Sequence, residues 1–124
     1  MIDKIKHSLE DAIAPLQDGA SIMVSGFGEA GIPFELLHAV LDKGLHDLTI
    51  ISNNAGTHEV GIAALIKAKR VRKIVCSHPR PVNSETFLAA YRAGQIELEC
   101  MPQGTLAERL RAAGAGLGPF FTPT

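Results

Sequence analysis

The chain has 124 residues, of which 46% are hydrophobic and 20% charged, so it can form one small globular domain. Twelve basic residues against thirteen acidic ones give a net charge of -1, which excludes the strong positive field of a nucleic-acid-binding protein. No cationic and apolar signal peptide opens the sequence, and no apolar run is long enough to span a bilayer. We therefore expect a cytoplasmic protein.

Helices and strands alternate along the predicted chain, beginning with a helix. Apolar residues recur at helical spacing over Ile2–Ile13, and the short apolar run Ala20–Ser25 is typical of a buried strand. Pro33 suits the first turn of a helix that continues to Leu41. His38 falls on the apolar face of that helix, where a core histidine is expected.

The second half of the chain continues the alternation. Glu108 follows Thr105 by three residues, which is the spacing of a helix capping box. Cys76 and Cys100 each end an apolar strand, and both are expected to be buried thiols rather than a disulfide or metal pair. The predicted elements are a strand at Leu48–Ser52, a helix at Val60–Ala68, a strand at Val71–Cys76, a helix at Ser84–Ala93, a strand at Ile96–Cys100 and a helix at Thr105–Ala113.

Strands that are apolar throughout and separated by helices predict an α/β fold, a parallel sheet flanked by helices on both faces. Right-handed crossovers should connect the strands. Because ligands of such sheets bind at the carboxyl ends of the strands, functional residues are expected in the loops that follow them. These loops are rich in glycine and amide side chains and poor in carboxylates.

The loop after the first predicted strand contains Gly26, Gly28 and Gly31 in the order G-x-G-x-x-G, and a helix follows. A nicotinamide cofactor would also need an acidic residue after the second strand, where the chain has Ser52-Asn53-Asn54 instead. That cofactor is therefore not expected. The glycines fit either a phosphate approached by backbone N–H groups or a tight turn, and the motif alone does not separate the two.

Amide side chains follow the second and fourth predicted strands. Asn53, Asn54 and Gln103 suit surface turns, but amides at strand ends also donate hydrogen bonds to a carboxylate or a developing oxyanion. Convergence of the strand ends on one cleft favours the functional interpretation. Ser77 and His78 resemble a nucleophile and its base, yet adjacent residues on an extended chain point apart, which disfavours that role. The five histidines show no metal-ligand spacing.

Four blocks of the sequence occur in a distinctive order. They are Asp18-Gly19 with Ile22-Met23-Val24, Gly26-Phe27, Gly31 and Pro33; then Ser52-Asn53-Asn54-Ala55-Gly56; then Pro102-Gln103-Gly104-Thr105-Leu106-Ala107-Glu108-Arg109; and then Gly114-Ala115-Gly116. Together they resemble the A subunit of family I CoA-transferases over the whole chain. Ser25 stands where the family pattern has a glycine. The segments Arg70–Ser77 and Tyr91–Gly94 are most similar to the 3-oxoadipate enzymes of aromatic-acid breakdown.

The resemblance implies a three-layer α/β/α fold and a ping-pong transfer of CoA from succinyl-CoA, or a similar acyl-CoA, to a 3-oxoacid such as 3-oxoadipate. The family's nucleophile is a glutamate in a Ser-Glu-Asn-Gly block of the B subunit, and this chain has no such block. A hetero-oligomer with a B subunit is therefore expected. Family A subunits continue well past the position of Thr124, so residues 1–124 should be the N-terminal portion of an A-subunit domain.

Coenzyme A is then expected as a substrate, with no permanently bound cofactor and no metal. Asn53 and Gln103 are expected to polarise the substrate, and Asn54 is a candidate cleft-lining residue. The candidate CoA-binding residues form the glycine loop, Ser25, Gly26, Phe27, Gly28, Glu29, Ala30 and Gly31.

Two other classes of protein remain open on sequence grounds. One is a non-catalytic domain that binds CoA or a nucleotide, or a fragment that only assembles with partners. The other is a sugar-phosphate isomerase of similar architecture. The loops contain neither an acid–base pair of carboxylates nor a well-placed histidine, which counts against the isomerase.

Overall fold

The computed structural model describes residues 3–123 and, within them, four strands and five helices that alternate along the chain. This order confirms the predicted alternation, and the third strand has the predicted bounds. In chain order, the elements are α1 (Leu9–Ile13), β1 (Ser21–Met23), α2 (Phe34–Asp42), β2 (Leu48–Ile51), α3 (Ile62–Lys67), β3 (Val71–Cys76), α4 (Glu85–Arg92), β4 (Glu97–Cys100) and α5 (Gln103–Ala115).

The first and last helices differ from their predicted bounds. Helix α1 begins only at Leu9, because the Ser8 hydroxyl accepts a hydrogen bond from the Asp11 N–H and so caps the helix there. The predicted start at Ile2 lies outside the described residues. Helix α5 begins at Gln103, two residues before the predicted start, and Pro102 is its N-cap residue. The capping box predicted at Thr105 is therefore wrong, because Thr105 already lies inside the helix.

The four strands form one parallel sheet in the order β1-β2-β3-β4. Because side chains alternate along a strand, register partners share a face of the sheet. The partners Ile22, Ile50, Ile74 and Leu98 lie on the face that packs into the hydrophobic core. Helices α1 to α4 contribute to the same core, through Ile13, Leu37, Leu65 and Phe87 among others.

Helix α5 lies beside the opposite face of the sheet. Its residues Leu106 and Leu110 line a cleft together with Met23 and Ile51, which are register partners on that second face. Helices thus flank both faces, and the predicted three-layer α/β/α arrangement is confirmed. Within residues 3–123, no helix has the length and apolar character needed to cross a bilayer.

Burial of the strands is less uniform than their apolar sequences predict. Strands β1 and β4 are the edges of the sheet and contain exposed residues, whereas β2 is almost fully buried. On the second face, the Lys73 ammonium lies 2.9 Å from carboxylate oxygens of both Glu97 and Glu99. The hydrogen bonds to Glu97 and then Glu99 raise the pKa of Lys73. Charges at this sheet edge therefore replace the expected apolar surface.

Two predicted core residues are exposed. Cys76 is buried and its pKa is raised to about 12, chiefly by desolvation, but Cys100 on the edge strand is exposed, so only one of the two predicted buried thiols is buried. His38 is exposed as well, because it lines an open groove between α1 and α2 rather than the core. The core face of α2 is carried by Leu37 and Val40 instead.

Candidate functional site

The candidate site is a cleft of about 350 Å³ at the carboxyl ends of β1 and β2. Its polar lining comes from two loops and the first turn of α5, namely Ser25, Gly26, Ser52, Asn53 and Gln103. A larger groove of about 620 Å³ lies between α1 and α2. The smaller cleft is the candidate because it lies at the strand ends, where ligands of parallel sheets bind. No carboxylate is among the described residues that line it.

Asn53 and Gln103 meet at this cleft although they are 50 residues apart in the chain. The Asn53 Nδ2 donates to the Gln103 Oε1 over 3.1 Å. It also donates to the Ser77 Oγ over 3.2 Å, and the Ser77 hydroxyl itself donates to the Gln103 Oε1. The structure thus brings together the two amides singled out in the sequence and adds a serine, whose role the sequence does not indicate.

An ion pair between helix α5 and strand β4 helps to fix the position of Gln103. The Arg109 Nη1, two turns further along the helix, lies 2.6 Å from the Glu99 Oε1 on β4. Hydrogen bonds from Arg109 first, and then from Lys73, lower the pKa of Glu99, so this carboxylate stays ionised over a wide pH range. The ion pair joins the helix to the neighbouring strand, and Gln103 therefore has a defined position at the helix start.

Asn54 occupies a different place from the predicted one. Its side chain is 1% exposed and does not belong to the cleft lining. Its Nδ2 donates to the Gly28 carbonyl over 3.1 Å, and its Oδ1 accepts from the Gly56 N–H over 2.8 Å. Asn54 therefore joins the loop after β2 to the glycine loop after β1.

The glycine loop folds back on itself. The Phe27 N–H donates to the Ala30 carbonyl over 2.9 Å, and the Ser25 hydroxyl closes the loop by donating to the Gly31 carbonyl. A Cβ at Gly26 would lie 2.6 Å from a carbon of Ile32, so this glycine is required by packing. A Cβ at Gly28 would meet nothing within 4 Å. Of the three loop glycines, Gly28 is thus the one whose added Cβ would have no close neighbour.

Glu29 is held away from the cleft. Its Oε1 accepts a hydrogen bond from the Thr57 hydroxyl over 2.9 Å and lies 3.4 Å from the His58 Nε2. Phe27, at the same end of the loop, is 77% exposed. The tip of the loop therefore contacts Thr57 and His58. Of the predicted CoA-binding residues, only Ser25 and Gly26 line the cleft. In residues 3–123 no cluster of three or more His, Cys, Asp or Glu could hold a metal ion.

A parallel α/β sheet with neutral amides and a glycine loop at its strand ends is typical of proteins that bind a ligand at those ends. Comparison with known proteins identifies the family. The family model described as coenzyme A transferase matches residues 6–124. This chain belongs to the coenzyme A transferase family.

Two curated relatives are named as a CoA-transferase subunit and as a CoA-transferase. The chain is 56% identical to the A subunit of the 3-oxoadipate CoA-transferase of Pseudomonas putida over 124 residues, all of this chain and 54% of that protein. It is 47% identical over 113 residues to the mitochondrial succinyl-CoA:3-ketoacid coenzyme A transferase 2A of Rattus norvegicus, 91% of this chain and 21% of that protein. The chain thus spans about half the length of the 3-oxoadipate relative that it matches.

Solved structures share the fold. A crystal structure of the decarboxylase AibA/AibB matches with a TM-score of 0.76 and 25% identity, over 89% of this chain and 43% of that chain. An acyl-CoA transferase from E. coli O157:H7, YdiF, in a thioester complex with CoA, matches with a TM-score of 0.73 and 27% identity, over 89% of this chain and 23% of that chain. The first comparison shows that the fold alone does not define the chemistry.

Proposed function

We propose that this chain is the N-terminal portion of the A subunit of a CoA-transferase and forms one wall of its active site. With a B subunit, it would move CoA from succinyl-CoA, or a similar acyl-CoA, to a 3-oxoacid such as 3-oxoadipate. The observation that carries the proposal is the pairing of Asn53 with Gln103 in a cleft without a carboxylate. Such a wall could donate hydrogen bonds to negative charge, and its described lining supplies no carboxylate nucleophile.

The chemistry requires a glutamate of the B subunit. Its carboxylate would attack the thioester carbonyl, and the CoA thiolate would leave as an acyl anhydride forms. The thiolate would then attack the glutamyl carbonyl of the anhydride, which releases the first carboxylate and leaves a glutamyl-CoA thioester. The second carboxylate substrate would accept CoA by the same two steps in reverse. Each addition places negative charge on an acyl oxygen, where a fixed amide donor is most effective.

Neutral donors suit this nucleophile better than a cation would. A lysine or arginine in the cleft would pair with the attacking carboxylate, stabilise its ionised form and lower its reactivity. An amide polarises the substrate without neutralising the nucleophile. The described cleft lining contains neither a cation nor a carboxylate, so the attacking group is free to come from the partner.

Reconstitution with a B subunit tests the proposal. Succinyl-CoA and 3-oxoadipate should turn over only when a CoA-transferase B subunit is added to this chain, because the nucleophile lies on the partner. The measurement is formation of 3-oxoadipyl-CoA by the chain alone, by the partner alone and by the mixture. Turnover by the chain alone would contradict the proposal. A mixed complex that binds CoA without turnover would favour the non-catalytic alternative.

Substitution of Gly28 tests whether the glycine loop approaches CoA. Gly28 has φ 62°, which asparagine also adopts, so Gly28→Asn should fold while its side chain fills the open space. We expect the Kd for CoA in the complex to rise roughly tenfold, equivalent to about 1.4 kcal/mol of binding free energy. Gly19→Asn is the matched control, because Gly19 has φ 75° and equal space but precedes β1 at the amino ends of the strands. Unchanged affinity in folded Gly28→Asn would make the loop a structural turn.

A further inference from the structure

Ser77 follows β3 and lies beside Asn53, because the parallel pairing of β2 with β3 continues to the bridge between Asn54 and His78. The Ser77 N–H donates to the Asn53 carbonyl over 3.2 Å, and the His78 N–H donates to the same oxygen over 3.0 Å. These bonds extend the pairing of the two strands into their loops, where Asn54 and His78 form an isolated parallel bridge. The Ser77 side chain is therefore held beside the amide of Asn53 by the backbone itself.

The hydrogen bonds among the three side chains set the orientation of Gln103. An amide nitrogen only donates, so both partners of the Asn53 Nδ2, the Ser77 Oγ and the Gln103 Oε1, must act as acceptors. The Ser77 hydroxyl has one proton and two acceptors within reach, the Gln103 Oε1 and, at 3.2 Å, the Asn53 carbonyl oxygen. The Gln103 oxygen is the nearer of the two, and the Asn53 carbonyl already accepts from two backbone N–H groups, so the proton is assigned to Gln103. With two donors directed at its oxygen, Gln103 turns its Nε2 amino group away from Asn53 and Ser77.

This arrangement leaves one amide donor available. Both hydrogens of the Asn53 Nδ2 are engaged by Ser77 and Gln103, whereas the Gln103 Nε2 is the end turned outward. Gln103 is an exposed side chain at the start of α5, and an exposed glutamine loses considerable rotamer freedom when it is fixed. A second hydrogen bond to its oxygen offsets part of that entropy cost and prevents the amide group from exchanging the places of its oxygen and nitrogen.

We infer that Ser77 is a positioning residue, which holds the Gln103 Oε1 so that the Gln103 Nε2 faces the substrate. The inference rests on the proposed function, since it assigns Ser77 to the same reaction. It also argues against Ser77 as a nucleophile. Among the described residues no hydrogen bond joins the Ser77 Oγ to the His78 ring, and the acceptors near the serine hydroxyl are the Gln103 Oε1 and the Asn53 carbonyl oxygen.

Substitutions at Ser77 test this role in the complex of the chain with a B subunit. Ser77→Ala should lower kcat roughly tenfold with little change in KM, because a misdirected donor weakens the transition state more than the bound substrate. Ser77→Thr keeps a hydroxyl and should retain most of the wild-type kcat. Ser77→Val has the shape of threonine but no hydroxyl, so it should behave like Ser77→Ala. In a Gln103→Ala background, Ser77→Ala should cause no further loss, because Ser77 acts through Gln103.

A matched control and the remaining outcomes complete the experiment. Ser8→Ala removes one serine hydrogen bond at the start of α1, outside the cleft lining, and should leave kcat unchanged. If Gln103→Ala lowers kcat but Ser77→Ala does not, or if the Ser77 and Gln103 losses multiply, this inference alone is overturned. If the unmodified complex has no transferase activity, the proposed function fails and the inference fails with it.

Discussion

Gln103→Ala in the complex with a B subunit should lower kcat by about 10²–10³, the usual cost of removing one preorganised donor from an oxyanion site. In the proposed mechanism the Gln103 Nε2 is the donor to the substrate, so this substitution removes the donor itself. Asn53→Ala should lower kcat as well, because it removes a hydrogen bond that orients Gln103. KM should change far less than kcat in both variants, since the interaction is made mainly in the transition state.

Steady-state kinetics of both variants with the B subunit present would measure these effects. Gln17→Ala is the matched control, because Gln17 is an exposed glutamine that precedes β1 at the amino ends of the strands. It should keep the wild-type kcat. If Gln103→Ala and Asn53→Ala both keep the wild-type kcat, the amides serve only as turn residues and the proposed mechanism is wrong. Membership of the coenzyme A transferase family would be unaffected.

Asn54→Ala should have the largest effect on stability among the loop variants. Asn54 is fully buried, and its removal leaves the Gly56 N–H without an acceptor in a buried turn. Leaving a buried donor unsatisfied costs about 1–3 kcal/mol of unfolding free energy. The Gly28 carbonyl loses its donor at the same time, so the glycine loop should also become more mobile.

Chemical denaturation of the chain and hydrogen exchange at residues 26–31 would measure both effects. Asn83→Gly is a suitable control, because Asn83 is an exposed asparagine with φ 59°, a conformation that glycine adopts without strain. Its unfolding free energy should fall by less than that of Asn54→Ala. Equal losses of unfolding free energy in the two variants would mean that the buried hydrogen bonds of Asn54 stabilise the fold no more than an ordinary surface asparagine does.

Asn53 and Gln103 lie together in the cleft, and their roles in polarising a substrate stay predictions. Asn53 and Gln103 could be placed together from sequence, because each follows a strand and the carboxyl ends of parallel strands lie at one edge of a sheet. The tether of Asn54 to Gly28 could not be placed, because Asn53 and Asn54 are adjacent amides with the same local signal. Alternation along the extended chain sends Asn53 towards the cleft and buries Asn54 beneath it.

The sequence by itself determined the order of elements, the parallel sheet and the position of the glycine loop. Those features depend on hydrophobic periodicity and turn residues, which are local properties of the chain. Only the tertiary structure decided that β1 and β4 are exposed edges, that His38 and Cys100 face solvent, and that Ser77 lies against Gln103. Sheet order and contacts such as that of Ser77 with Gln103, 26 positions apart, arise when separate elements pack, and no local pattern encodes them.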